Sequence, residues 1–78
     1  MTIKEFFEQR GSQSVLADSI GVKRQTINLW YTGKVKISVP TAMKLTKVLM
    51  DFGVTTTVPE VIIFFNEKYL EREQAEET

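Results

Sequence analysis

Apolar side chains recur along most of this chain at helical spacing. Ile3, Phe6 and Phe7 fall on one face of a helix. Thr2, with Glu5 three residues on, fits a capping box in which hydroxyl and carboxylate satisfy each other's free backbone N–H groups. Gly11 predicts the end of this helix near Arg10. Ser12 suits the N-cap of a second helix, with Leu16, Ala17 and Ile20 as its apolar stripe. Gly21 suits a left-handed turn that a β-carbon would strain, and Val22 follows as an apolar plug. A third helix is expected from about Arg24 to Tyr31, with Ile27 and Trp30 on its inner face and Gly33 closing it.

Beyond Gly33 the pattern changes. Val35, Ile37 and Val39 alternate with polar residues, which permits a short extended segment over 34–39. Pro40 fits the first turn of a fourth helix, along which Ala42, Leu45, Leu49 and Phe52 recur before Gly53 stops it. Thr57 and Glu60 form another capping-box match. "VIIFF" at 61–65 favours strand by its β-branched and aromatic content. The caps and the continuing Tyr69 and Leu70 favour a helix from about Val58 to Arg72, with "EQAEET" frayed. Val61, Ile62 and Phe65 are expected in the core. Ile63, Phe64, Tyr69 and Leu70 are then left partly uncovered, a candidate twofold dimer face. The chain therefore reads as one all-α domain of four to five helices over residues 1–78, with 58–78 as its candidate dimerisation element.

Composition narrows the chemistry. Neither cysteine nor histidine is present, which excludes disulfides and thiolate metal sites and removes the commonest general base. Glu67 and Glu71, one helical turn apart, are a weak cation pair. No enzyme activity, metal or cofactor is expected. The charged N-terminus lacks the apolar stretch of an export signal, and "VIIFF" is too short to span a bilayer, so a cytoplasmic location is expected. The net charge is zero, but residues 1–50 carry eight Lys/Arg against three Asp/Glu while residues 51–78 carry two against seven. Such asymmetry is a hint of a basic working face with an acidic segment elsewhere.

The middle of the chain, "QSVLADSIGVKRQTINLWYTGK", holds Gln13, Ala17, Gly21, Ile27 and Trp30 at fixed intervals, with Leu16, Ile20 and Val22 filling the other apolar positions. This segment, about residues 13–32, resembles the helix-turn-helix of the phage lambda repressor and Cro family, and the wider likeness covers about residues 2–53. One departure is Lys23, where the family often has a Ser or Thr that caps the recognition helix; lysine cannot accept that bond.

The resemblance implies a lambda-repressor-like fold whose third helix enters the DNA major groove. Carried over by position, Lys23, Arg24, Gln25, Asn28 and Leu29 would meet base edges. Arg24 suits guanine; Gln25 and Asn28 suit adenine. Gln13, Thr26, Lys34 and Lys36 would contact the backbone. Leu16, Ala17, Ile20, Gly21, Val22, Ile27 and Trp30 would form the motif core. The expected function is that of a sequence-specific double-stranded DNA-binding transcriptional regulator, a Cro-like or short phage-type repressor acting as a homodimer on a palindromic operator. At this length the self-cleaving domain of longer repressors is expected to be absent. The rivals are an antitoxin whose C-terminal segment grips a toxin, and a protein-only interaction module such as an anti-repressor.

Overall fold

The computed structural model describes the backbone of residues 1–77 and the side chains of residues 1–71. Five helices follow in chain order: α1 (Ile3–Glu8), α2 (Ser12–Ile20), α3 (Arg24–Tyr31), α4 (Val39–Asp51) and α5 (Val58–Glu77), with no strand among the described residues. Both bonds of the Thr2–Glu5 capping box form, at 2.9 and 3.1 Å. The N–H and hydroxyl of Thr2 hold the Glu5 carboxyl below its ordinary pKa. Glu5 is fully exposed, so the box directs the chain more than it stabilises the core.

The first helix ends at Glu8, short of Arg10, and the cap expected of Ser12 falls instead to Gly11. The turn brings Gly11 into the left-handed region, φ 80°. Ser12 becomes the first helical residue and is buried. Ser38 caps α4 by accepting from the Thr41 N–H, with Pro40 in the first turn, where its missing donor costs nothing. At α5 the Glu60 N–H donates to the Thr57 hydroxyl, while the Glu60 carboxylate takes the hydroxyl of Thr56. The helix then passes Arg72 and continues to Glu77, so the segment read as frayed is helical through that residue.

Leu16, Ile27, Leu45, Leu49, Val61 and Phe65 are fully buried, one or two from each helix after the first. Burying each contributes about 1.5–3 kcal/mol. From α1, Phe7 stacks on Tyr31 of α3 at 4.7 Å and meets Phe65 of α5 edge-on at 5.6 Å; Phe6 stacks on Phe52 at 5.6 Å. These rings lock three helices around the C-terminal end of α3, with offset and edge-on geometries worth about 0.5–1.5 kcal/mol per pair beyond burial.

The strand permitted at 34–39 does not form. Val35 and Val39 are exposed and only Ile37 is buried. Among the described residues no strand runs beside this segment; its partner is a side chain. Asn66, buried on α5, accepts from the Ile37 N–H at 3.0 Å and donates to the Ile37 carbonyl at 3.3 Å. A buried main-chain residue needs both groups paired, and one amide supplies both.

Candidate nucleic-acid interface

The interface is built on the α2–α3 turn. Gly21 adopts φ 75°, ψ 32°, and the Val22 N–H reaches back to the Ala17 carbonyl at 3.0 Å. That bond, with a left-handed glycine before it and an apolar residue after it, is a Schellman closure. It reverses the chain within a few residues and seats Val22 half-buried against the core. Ala17 is 2% exposed and Leu16 and Ile27 are wholly buried. A small residue at 17 lets α2 and α3 approach closely. Ile20 and Trp30 pack half-buried on the same core.

Lys23 stands at the N-cap of α3 in extended conformation and makes no side-chain cap bond. The chemistry of an ammonium group allows nothing else, and the residue's charge faces outward. Lys23, Arg24, Gln25 and Asn28 are exposed, whereas Thr26 and Leu29 are half-buried. The helix is thus two-sided. Ile27 is held from behind and the polar residues around it face solvent.

The far end of α3 is closed as tightly as its start. The Thr32 hydroxyl donates to the Asn28 carbonyl at 2.8 Å, the Gly33 N–H to Trp30 at 3.2 Å and the Lys34 N–H to Leu29 at 3.0 Å. Gly33, at φ 79°, lies against α5: a β-carbon there would stand 2.7 Å from the Lys68 carbonyl carbon and 2.8 Å from its oxygen. Lys34 and Lys36 emerge exposed from this closure. The Lys68 ammonium sits 3.7 Å from the centre of the Tyr31 ring and 4.8 Å from that of Phe64. Burial lowers the Lys68 pKa, with Glu71 opposing; the ring faces attract its charged form.

Gln13 and Arg24 line one cleft of about 290 Å³ at the start of α2, together with Gln9 and Arg10. The structure therefore brings the expected backbone-contacting Gln13 beside the expected base reader Arg24. It adds Arg10, which sequence reasoning passed over as a helix-end charge. Only the α1–α2 turn places it here.

Of the four residues expected to remain uncovered on α5, Ile63 and Leu70 are 61% and 53% exposed. Phe64 and Tyr69 are half-buried. The Phe64 ring packs 5.1 Å from Phe65 and 6.2 Å from both Phe7 and Tyr31, so much of it serves the monomer's own core. Ile63 and Leu70 lie two turns apart on one side of the helix. Beside them a groove of about 610 Å³ runs between α5 and the 36–39 segment, floored by Ile37, Ile62 and Asn66. Among the described residues, no group of three or more potential ligands could hold a metal ion, and no helix is long and apolar enough to cross a membrane.

A family model described as helix-turn-helix matches residues 3–49, which span α1 to most of α4. No curated protein and no solved structure matches the chain. The matched residues contain the α2–α3 turn, the small crossing residue Ala17 and the outward polar face of α3. The chain belongs to the lambda repressor/Cro-type helix-turn-helix family, a family of DNA-binding transcriptional regulators.

Proposed function

We propose that this regulator is a Cro-like or short phage-type repressor that occupies a palindromic operator as a homodimer. One observation carries the reading: Lys23, Arg24, Gln25 and Asn28 are exposed on a helix whose opposite side is fixed by the wholly buried Ile27. The leading end of α3 then enters the major groove. Arg24 offers its fork to guanine, Gln25 and Asn28 offer amides to adenine, and Lys23 and Leu29 complete the contact to base edges. Gln13, Thr26, Lys34 and Lys36 hold the sugar–phosphate backbone, joined by Arg10 in the cleft it shares with Gln13. Repression follows from occupancy and requires no chemistry.

Substitution separates the two kinds of contact. Arg24→Ala is expected to lower operator affinity by about 1–3 kcal/mol per half-site and to relax preference at one base position in each. Lys36→Ala weakens all sequences alike and makes the dependence of log K on log salt shallower by about 0.9 for each copy in the dimer, about 1.8 in all. Selection of duplexes from a random pool, followed by titration at two salt concentrations, measures both. Unchanged affinity in both variants refutes these roles.

The dimer reading rests on self-complementarity. The same α5 face carries an apolar groove and, at its rim, the exposed Val39, Ile63 and Leu70. Across a twofold axis, the projecting side chains of each copy fill the groove of the other, which is the geometry an isologous interface requires. Two recognition helices would then meet half-sites about 34 Å apart. Ile63→Lys places a charge at this seam and is expected to give a folded monomer by sedimentation equilibrium. A variant that still dimerises rules this face out.

A further inference from the structure

We propose that Asn66 is a positioning residue for DNA-backbone contact: its amide sets the register of the 36–37 segment and thereby the placement of Lys36. The inference rests on the DNA-binding reading above and assigns part of that function to a helix outside the helix-turn-helix. Between Gly33 and the Ser38 cap the chain has no helix and no neighbouring strand. Such a segment fluctuates unless something fixes it, because each ordered residue costs roughly 1–2 kcal/mol of backbone entropy. The Lys34 and Val35 N–H groups are tied to the Leu29 carbonyl of α3 at 3.0 and 3.3 Å, and two further fixings come from α5. The Lys68 main chain abuts Gly33 at the front. At the rear, Asn66 takes both main-chain groups of Ile37, as a strand partner would.

The consequence lies in the residues between. With Ile37 turned inward, 4% exposed, its neighbour Lys36 is turned outward. Lys34, two residues further back, is also exposed. Releasing Ile37 would leave Lys36 on a tether without a set direction, while Lys34 keeps its bond to Leu29. Lys36 would then have to be ordered on each encounter with DNA. Asn66 is itself 8% exposed and its amide is turned to both main-chain groups of Ile37, so it acts through the segment it holds.

The test compares the wild-type protein with Asn66→Ala, with Lys34→Ala/Lys36→Ala, and with the variant carrying all three changes. Each is titrated with a mixed-sequence duplex of about 20 base pairs over a series of salt concentrations, and affinities are corrected for the folded fraction. The expected result is a slope of log K against log salt shallower by about 0.9 to 1.8 for Asn66→Ala, the loss of one or both copies of the Lys36 contact in a dimer. A fourfold rise in salt then costs this variant about four- to twelvefold less affinity than it costs the wild type. In the background lacking both lysines, removing the Asn66 amide should change the slope no further. A purely structural role lowers the folded fraction and leaves the slope unchanged, and that result overturns the proposal, as does an equal slope change in both backgrounds. Hydrogen exchange on the free wild-type protein gives an arm independent of any variant's folding. The Ile37 amide should exchange far more slowly than that of Lys36, and equal rates reject the clamp. A wild-type protein with no salt-dependent affinity for the duplex defeats the DNA-binding reading and this inference together, whereas a normal wild-type slope with no effect of Asn66 defeats this inference alone.

Discussion

Gly33→Ala is expected to be among the most damaging single changes available outside the core, lowering stability by about 3 kcal/mol or more. Two independent effects combine. The left-handed backbone at φ 79° disfavours any L side chain by roughly 1–2 kcal/mol. The new β-carbon would also stand 2.7–2.9 Å from main-chain atoms of Lys68 and Tyr69, which cannot swing aside as a flexible side chain could. Either α5 moves away or the closure of α3 opens. Denaturant unfolding measures the loss. Gly21→Ala is the internal control: the same left-handed strain applies, but a β-carbon there meets no atom within 4 Å. Equal losses in the two variants would show that close approach to α5 contributes nothing.

Phe65→Ala is expected to cost about 3–5 kcal/mol, the range for emptying a buried aromatic site. Phe65 is wholly buried and its ring contacts Phe7 and Phe64 edge-on. A domain of this length has a total stability of roughly 4–12 kcal/mol, so much of the population should unfold on mild heating. The loss also reaches α3, because Phe7 carries Tyr31 on its other contact. Thermal unfolding followed by circular dichroism checks the magnitude. A fall in melting temperature of only a few degrees would mean that the cluster repacks around the vacancy.

The parts of the fold legible in the sequence are those decided locally. α3 begins and ends where its flanking residues indicate, because Gly21 and Gly33 adopt the left-handed turns that glycine favours and Ile27 lies at the one spacing that faces inward. The same holds for the outward polar run at 23–25, which needs only helical geometry to be exposed. Reading failed where the deciding partner is distant in sequence. The alternation of Val35, Ile37 and Val39 suggested an extended segment correctly directed but wrongly partnered, because what pairs with Ile37 is the side chain of Asn66 on another helix. Gly11 and Ser12 are both acceptable caps, and the early end of α1 at Glu8 decided between them. On α5, neighbours Ile63 and Phe64 differ by one helical step. Periodicity left both partly uncovered; only the positions of Phe7 and Tyr31 draw the Phe64 ring inward. Arg10 belongs to the same class, since its place beside Gln13 and Arg24 arises from a turn that no spacing rule describes.

The two-sidedness of α3 has an evolutionary corollary. Exposed substitutions away from caps and cores usually change stability by no more than about 0.5 kcal/mol. On the proposed reading, the positions at 24, 25 and 28 can therefore drift under selection for a new operator while Ile27 keeps the scaffold intact. Duplicated copies of such a gene would acquire separate targets by exchanging a few solvent-facing letters, with no need to reinvent the molecule that carries them.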